Sequence, residues 1–422
     1  MSKKSKIKIP VYLRILTGMC VGICAGLVAL SVNGHQFVTD WVKPWGQLFI
    51  RLLQLVAVPL VFVSLVKGVI GMSDISKFSK MGLKTVGIYM VTTVVAILLG
   101  VTLVSVVKPG HFFDAGKTGF LEELFSQTVN TTMEAQNKQG PLSFIDDIVP
   151  NNIISALGDN RKMLHIIFFA LMFGIAALSV GKEKIKPVIS LFNSLNDIIL
   201  KMIDFVIQTA PYGVMALMAG LVVDTSGDIN LFSALAVYGT TVVFGLLFLM
   251  LCFYPLLFKL FTKKSSAKHF IKSAYPLQLL AFSTSSSSAV LPVTMDVAKN
   301  KLGVSEETTS FVMPLGATIN MDGTSCFQAI SIIFIAQVLG LDLTLSQILT
   351  IILMTTLSSI GTPGVPGGSY VVMAMVLTSV GIPAQGLALI LGIDRPLDML
   401  RTSVNVTGDL VVSSIVDPGD NG

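Results

Sequence analysis

The stretch that decides the fold is AFSTSSSSAVLPVT, residues 281–294, in which six consecutive side chains, Ser283 to Ser288, carry hydroxyl groups. A serine-rich run is ordinarily a flexible linker between soluble domains. The flanking sequences indicate that this run is not a linker, because LQLLAF before it and AVLPVT after it are apolar rather than charged. The run therefore lies within an apolar part of the chain, and the remaining sequence has to explain why.

The composition is that of an integral membrane protein. Hydrophobic residues make up 53% of the 422 residues and charged residues 13%, with a mean hydropathy of +0.79. A soluble domain carries about 25% charged residues, so this chain has too little charge to cover a water-exposed surface. Apolar runs such as 89–107 and 235–258 approach the ~20 residues that cross a bilayer core as a helix. Transmembrane β-barrels show short alternating segments instead.

Charge and cysteine content exclude other classes of protein. The net charge of +5 is explained by lysines in cytoplasmic loops, so we expect no nucleic-acid partner. The glycine-rich GTPGVPGG at 361–368 lacks the Lys-Ser/Thr of a phosphate loop, so we expect no nucleotide. The four cysteines lie in or beside apolar runs, which favours free thiols over a disulfide framework. The basic start, residues 1–10, precedes an apolar stretch without a convincing cleavage site, which predicts a retained first helix.

Lysine clusters alternate with pairs of apolar spans up to about residue 272. Positively charged loops mark the cytoplasmic side, so the alternation predicts six crossings with both ends of this block in the cytoplasm. Residues 108–143 form a long polar loop on the external side. The predicted spans are roughly 11–32, 46–71, 85–107, 145–181, 190–223 and 232–258.

After Lys272 the apolar segments become short. AYPLQLLAF (274–282) is too short to span and leads into the hydroxyl run, and two short apolar pieces flank SSIGTPGVPGG (358–368). Non-helical backbone at membrane depth has to be buried in protein or line a wet cavity. Two short helices meeting at such a tip predict a re-entrant hairpin, and the lysines place the two hairpins on opposite sides. This arrangement indicates an inverted-repeat transporter with its site at the membrane midplane.

The final segment, 384–416, carries its ionisable groups on one stripe. At 100° per residue, five polar groups form a stripe within about 60° of its centre at Asp398: Asp394, Arg401, Thr402, Asn405 and Asp409. Ionisable groups at membrane depth are costly and functional by default. An internally neutralised Asp–Arg pair that only joins helices is the alternative. Three carboxylates exceed what Arg401 neutralises, so the surplus negative charge favours a cation site.

Two further motifs offer oxygen ligands. NMDGT (320–324) interrupts the apolar stretch 304–339, and although these residues favour ordinary turns, a break inside an apolar span exposes carbonyls and Asp322 to a hard cation such as Na⁺. Tyr89, Thr92 and Thr93 lie one helical turn apart in the third span. Alone they indicate little, because threonines in membrane helices often bond their own backbone.

With these motifs the chain resembles the dicarboxylate/amino acid:cation symporter family, which includes glutamate transporters and archaeal aspartate transporters. The resemblance covers nearly all 422 residues, and its specific motifs occur in the order SSSSAVLPVT, NMDGT, SIGTPGVPGG and LDMLRTSVNVTGDL. It implies an all-α integral membrane fold with eight transmembrane helices, two re-entrant helical hairpins and inverted repeats. It also implies a homotrimer in the inner (plasma) membrane, with both termini in the cytoplasm.

The resemblance further implies an elevator mechanism, in which a transport domain slides against a static scaffold. The scaffold would comprise the first two helices (10–75) and, after the external loop, the fourth and fifth (109–223). The transport domain would comprise the third helix (80–108) and a core at 230–422 with the sixth helix, both hairpins and the last two helices.

Roles of individual residues follow from the same resemblance. Arg401 would hold the substrate's side-chain carboxylate, Asp398 its ammonium group, and backbone groups of the two hairpin tips its α-carboxylate. The implied substrate-binding residues are Ser285, Ser287, Thr324, Val365, Gly367, Asp398, Arg401, Thr402 and Asn405. Sodium, with three ions expected, would bind first at Gly316, Asn320, Asn405 and Asp409. The second ion would use carbonyls of Thr318, Ser359, Ile360 and Thr362, and the third Tyr89, Thr92, Thr93, Asn320 and Asp322.

Departures from the family pattern refine these expectations. Gln328 stands where eukaryotic relatives carry a proton-accepting Glu, and Asp409 is present, so we expect sodium rather than protons. Relatives supply a second Arg from one of two positions, here Ser285 and Met399. Because Arg395 lies four residues before Met399 on nearly the same helix face, we hypothesise that Arg395 supplies this charge, pairing with Asp394 or Asp398.

The predicted function is sodium-coupled symport of aspartate and/or glutamate into the cell, without ATP and without enzymatic activity. A C4-dicarboxylate:cation symporter is the nearest alternative, but its substrate needs no ammonium partner such as Asp398. A substrate-gated ion channel would also use a polar pore. An intramembrane hydrolase lacks an evident base, because none of the four histidines lies near the serines.

Overall fold

The computed structural model describes residues 11–71, 75–113, 149–158, 162–224, 229–262, 266–359 and 368–418. Within these ranges every regular element is helical, which confirms the predicted all-α class. Ten N-terminal residues, most of the predicted external loop and the tip of the second predicted hairpin lie outside the described residues.

The first half of the chain forms the predicted long apolar helices, with one division. The predicted span 145–181 is split, because Asn152 caps a short helix, Ile153–Leu157, that ends before the next helix begins. A short helix (His35–Phe37) and a π turn (Val38–Val42) precede the second long helix, and a 3-10 turn (Pro109–Phe112) follows the third. The long helices are α1 (Val11–Ser31), α2 (Lys43–Gly71), α3 (Ile75–Val107), α4 (Met163–Val180), α5 (Lys182–Asp224) and α6 (Ile229–Phe248).

The second half consists of shorter helices. A π turn (Leu249–Phe253) joins α6 to its continuation, and short turns of helix (Ala384–Leu387 and Ala388–Leu391) precede the last one, so the segment 384–416 is not a single helix. The helices are α7 (Tyr254–Phe261), α8 (Ala267–Thr284), α9 (Ser287–Leu302), α10 (Glu306–Ile319), α11 (Asp322–Val338), α12 (Leu345–Ser359), α13 (Gly368–Ser379) and α14 (Asp394–Val416).

The hydroxyl run contains a two-residue turn, Ser285 and Ser286, between the end of α8 and the start of α9. Ser285 adopts the left-handed conformation at φ 51° and ends α8, while the side chain of Ser286 caps α9 by accepting from the Ala289 N–H at 3.2 Å. The helix that leads into the run is longer than the apolar segment 274–282, since α8 has 18 residues. Its buried face continues at helical spacing through Phe270, Ala274 and Leu277, past lysines that the sequence analysis assigned to a loop.

The predicted break at NMDGT is confirmed. Helix α10 ends at Ile319 and α11 begins at Asp322, with Asn320 and Met321 non-helical between them. The break leaves the last carbonyls of α10 and the first N–H groups of α11 without intrahelical partners. Such an interruption in a buried, apolar segment is the form that binding sites take in membrane transporters.

The protein is a membrane protein with several apolar helices. Among the described residues, six helical segments are long and apolar enough to cross a bilayer, and they contain α1, α2, α3, α5, α6 with α7, and α10 with α11. Helix α4 is shorter, and α14 is not apolar enough to be counted among them. The count of eight transmembrane helices and the re-entrant nature of the hairpins stay predictions.

Helix α14 lies at the centre of the helices that carry the predicted site. It contacts α8 and α9 on one side, α10 and α11 on another, and also α3, α6 and α7. Its apolar residues Leu397, Val404 and Val411 are therefore buried together with its polar stripe. Every polar group on that stripe faces protein rather than lipid.

Candidate functional site

Four side chains of α14 form one connected series of ion pairs. The guanidinium of Arg401 donates to both carboxylate oxygens of Asp394, at 2.8 and 3.1 Å, and to Oδ1 of Asp398 at 2.8 Å. Arg395 donates to the other oxygen of Asp398 at 3.0 Å. Two arginines thus neutralise two aspartates within one helix, so this part of the stripe has no surplus charge.

The network is almost wholly shielded from solvent. The side chains of Arg401 and Asp394 are each 1% exposed, whereas those of Asp398 and Arg395 are 14% and 16% exposed. The Arg401 guanidinium also lies 3.8 Å from the centre of the Phe327 ring, a cation–π contact from α11. Asp398 is therefore the more accessible of the two carboxylates in this network.

A second cluster contains two buried carboxylates, Asp322 and Asp409, which are 0% and 2% exposed. Within the part of the chain that the structure describes, neither has a lysine, arginine or histidine partner. Asp322 instead accepts from the hydroxyls of Thr93, at 2.6 Å, and Tyr254, at 2.8 Å. Asp409 accepts from the amide of Asn320 at 2.8 Å. Buried carboxylates without a cationic partner are expensive, and in proteins they are paired or bind metal ions.

The donor set around these carboxylates fits a hard cation. Asn320 uses its amide nitrogen on Asp409 and on the Asn405 carbonyl, while its buried Oδ1 has no hydrogen-bond partner. Gly316 lies so close that a Cβ there would collide with the Asp409 carboxylate and the Tyr89 hydroxyl. In the described ranges, no three or more His, Cys, Asp or Glu side chains are grouped so that they could hold a metal ion. The ligands on offer are therefore carboxylate, amide, hydroxyl and backbone oxygens, which hard cations prefer.

Asn405 joins the two clusters. It lies one helical turn after Arg401 and one before Asp409 on α14. Its Oδ1 accepts from the N–H of Gly323 at 2.8 Å, and its Nδ2 contacts Thr324 Oγ1 at 3.4 Å, at the start of α11. A cation at Asp409 and a ligand at Arg401 would thus share one side chain and one helix start.

The structure brings together most of the predicted sodium residues but not all. Tyr89, Thr92 and Thr93 are buried on α3, where Thr93 reaches Asp322 and Thr92 bonds its own helix at the Tyr89 carbonyl. The hydroxyls of Thr318 and Ser359 also bond their own helices. Ile360 and Thr362, like the predicted substrate residues Val365 and Gly367, lie outside the described residues.

At the first tip, the side chains of Ser285 and Ser287 are buried, at 3% and 4% exposure. The Ser285 hydroxyl has no hydrogen-bond partner, whereas those of Ser283 and Thr284 bond carbonyls of α8. The N-terminus of α9 opens at Ser287, and a helix N-terminus favours anions. Thr402, also predicted to bind substrate, is buried and bonds the Asp398 carbonyl at 2.9 Å.

Sequence reasoning missed four residues of the site. Asp394 was expected only as a possible partner of Arg395, yet it holds Arg401 and lies beside Tyr370 on α13. Phe327 and Tyr254 lie in apolar runs where an aromatic residue carries no distinguishing signal. An aspartate one turn before Asp398 on the same face was the one available sign.

Comparisons with known proteins identify the family of the chain. The family model described as "Sodium:dicarboxylate symporter family" matches residues 11–418. A "Proton/sodium-glutamate symport protein" of Geobacillus stearothermophilus is 37% identical over 414 residues, covering 97% of this chain and 94% of the relative. A "Proton/glutamate-aspartate symporter" of Bacillus subtilis (strain 168) is 37% identical over 398 residues, covering 92% of each chain. The "Excitatory amino acid transporter 3" of Mus musculus is 33% identical over 459 residues, covering 96% of this chain and 84% of the relative. The chain therefore belongs to the sodium:dicarboxylate symporter family.

Proposed function

We propose that this protein is a sodium-coupled symporter that carries aspartate and/or glutamate into the cell. One observation carries the proposal: two fully buried carboxylates, Asp322 and Asp409, have no cationic partner among the described residues and adjoin the unpartnered Oδ1 of Asn320. A transported cation would neutralise them. The buried guanidinium of Arg401 lies two helical turns along the same helix, where an anionic substrate would sit.

The ion-pair network supports an acidic amino acid as the substrate. A guanidinium binds carboxylates through two parallel N–H groups, and Arg401 presents this fork to Asp394. A substrate carboxylate would take over part of the fork, while the substrate's ammonium group would pair with Asp398. A C4-dicarboxylate offers no such group. Two of the relatives are named as glutamate symporters, which supports an acidic amino acid as the substrate.

Sodium is the coupling ion that we propose, although protons appear in the names of both bacterial relatives. Asp409 supports sodium because it is held by the Asn320 amide within a set of neutral oxygens. Gln328 supports it as well, since a buried amide at this position cannot carry a proton across. Coupling would follow from Asn405, whose carbonyl accepts from Asn320 of the cation cluster and whose side chain contacts Thr324, a predicted substrate residue.

We also propose the elevator arrangement, the homotrimer and the location in the inner membrane with cytoplasmic termini. The contacts between helices support a division into two groups. Helices α1, α2, α4 and α5 contact one another, and α3, α6 to α12 and α14 contact one another around the site, while α13 contacts helices of both groups. The first group corresponds to the expected scaffold and the second to the expected transport domain.

Uptake into proteoliposomes tests the function. Purified protein is reconstituted, and radiolabelled aspartate uptake is measured under an imposed sodium gradient, an imposed proton gradient and neither. We expect saturable uptake that requires sodium and is inhibited by unlabelled glutamate but not succinate. Uptake driven by protons alone contradicts sodium coupling, inhibition by succinate favours the dicarboxylate alternative, and non-saturating flux favours a channel.

A further inference from the structure

We propose that Tyr254 is a positioning residue of the cation site. Its hydroxyl holds the carboxylate of Asp322 in the orientation that binds sodium, and the π turn before it directs the side chain there. The inference rests on the proposed sodium coupling. It adds α7 to the site, a helix on which no predicted site residue lies.

The contact places Tyr254 at the centre of the cation cluster. Its hydroxyl donates to Asp322 Oδ2 at 2.8 Å, while Thr93 donates to Oδ1 at 2.6 Å, so the carboxylate is fixed at both oxygens. A Cβ built on Gly408 would lie 2.8 Å from the Tyr254 hydroxyl and 2.7 Å from Nδ2 of Asn320. The hydroxyl therefore adjoins the amide that binds Asp409, and both carboxylates depend on groups that meet at this point.

The π turn explains how a tyrosine on this helix reaches Asp322. A π turn adds one residue to a helix and rotates everything after it by about 100°. If these residues formed a regular helix throughout, the 16-residue separation would place Tyr238 and Tyr254 about 160° apart around the axis. Because the π turn takes up one residue, they lie about 60° apart. The fully buried residues recur at steps of three or four except for one step of five, which crosses the π turn: Ala234, Tyr238, Val242, Leu246, Leu249, Tyr254 and Phe258.

The chemistry of the contact favours positioning over direct ligation. Asp322 begins α11 directly after the break and has no neighbour of opposite charge among the described residues. A carboxylate that is free to rotate would present its oxygens to the cation only part of the time. With Tyr254 on Oδ2 and Thr93 on Oδ1, the remaining lone pairs have a fixed direction, and sodium binding then costs no reorientation.

Tyr238 is a matched control in the same helical stretch. It is also 0% exposed, and its hydroxyl forms a 2.7 Å hydrogen bond. The partner, however, is the hydroxyl of Ser331 on α11 rather than a carboxylate. Tyr238→Phe therefore removes a buried tyrosine hydroxyl without touching the cation cluster.

The test measures sodium binding to the purified full-length protein in detergent without substrate, using radioactive sodium. We expect Tyr254→Phe to raise the sodium Kd about 10- to 150-fold, as the loss of a hydrogen bond to a charged group implies. Tyr238→Phe should stay within about twofold. Aspartate affinity at saturating sodium should stay within about twofold for both variants, whereas an equal loss of both affinities would indicate a merely structural role.

A second variant tests the π turn itself. Cys252 is an exposed residue within that turn, and its deletion returns the helix to regular geometry while keeping Tyr254 on the face of Asp322. We expect this variant to keep its sodium Kd within about twofold of wild type, and a loss as large as that of Tyr254→Phe would contradict the role given to the π turn. Wild-type sodium affinity in the folded Tyr254→Phe variant overturns the inference. If the wild-type protein binds no sodium, the proposed function fails instead, so the two failures are distinguishable.

Discussion

Arg401 and Asp394 form a buried two-point ion pair within one helix, seven residues apart, with N–O distances of 2.8 and 3.1 Å. This fork is the geometry in which a guanidinium recognises any carboxylate. The structure therefore shows Arg401 engaged in the kind of contact that a substrate carboxylate would make. A substrate carboxylate that takes over part of this fork keeps the guanidinium paired, and the remaining contact with Arg401 keeps the buried Asp394 paired as well.

The first prediction concerns Arg401. Replacing it alone would leave Asp394 buried and unpaired, which costs about 3–5 kcal/mol and could unfold the protein. We therefore expect the double variant Arg401→Cys, Asp394→Asn to fold, because both charges are removed together. Its aspartate uptake should fall at least about 100-fold, since a charged two-point contact is lost. Uptake of radiolabelled aspartate and serine in proteoliposomes measures both the loss and any gain of neutral substrates.

Asp394→Asn alone is the control for this prediction. It keeps Arg401, so aspartate uptake should persist, with the guanidinium still paired to Asp398 at one nitrogen. Unchanged aspartate transport in the double variant would show that Arg401 does not bind the substrate carboxylate.

The second prediction concerns Arg395, which donates to Asp398 at 3.0 Å. Once a substrate ammonium group binds Asp398, Arg395 is released and its charge faces the substrate. We expect Arg395→Ala to weaken aspartate affinity about 3- to 10-fold, a modest loss because the pair is partly exposed and screened. Competition binding measures it, and Lys201→Ala, which breaks an exposed pair with Asp204, is the control. An unaltered affinity and exchange rate would refute this role.

The polar stripe of α14 could be predicted because the angular period of a helix is fixed. Arg401, Asn405 and Asp409 follow each other at four-residue spacing, so any helix through them places them on one face. The choice of partner could not be predicted. Asp394 and Asp398 both lie on that face, and spacing alone does not rank a partner seven residues away above one three residues away.

Two other features escaped prediction for physical reasons. The π turn before Tyr254 shifts the helical period by one residue, and a search for regular 3.6-residue spacing cannot detect it. Helix α8 begins at Ala267, although Lys268 and Lys272 resemble a cytoplasmic loop in the sequence. Both lysines lie outside the buried face of α8, so they do not end it.

The third prediction concerns the charge of Asp409. Asp409→Asn keeps the size of the side chain but removes the negative charge that a cation would neutralise. We expect the sodium concentration for half-maximal aspartate uptake to rise at least about 10-fold, because a buried charge contributes more than a neutral ligand. Asp342→Asn, at an exposed aspartate outside the site, should leave it unchanged. Equal sodium dependence in the two variants would exclude Asp409 from the cation site.

The fourth prediction concerns the packing of α1 on α5. Gly18, Gly22 and Gly26 recur every four residues on α1, and a Cβ at Gly22 would collide with the backbone carbonyl of Met215 on α5. Small residues at this spacing let membrane helices approach closely. We expect Gly22→Ala to lower the free energy of unfolding by about 1–3 kcal/mol, because backbone cannot yield as a flexible side chain can.

The chain offers an opposite control for this packing. A Cβ at Gly87, within α3, meets nothing within 4 Å, so Gly87→Ala should raise the stability by about 0.5–1 kcal/mol through helix propensity alone. Denaturant unfolding of both variants in detergent, followed by circular dichroism, makes the comparison. If Gly22→Ala were as stable as Gly87→Ala, this glycine face would not be the packing contact between α1 and α5. The close packing of these two helices that we expect of a scaffold would then be contradicted.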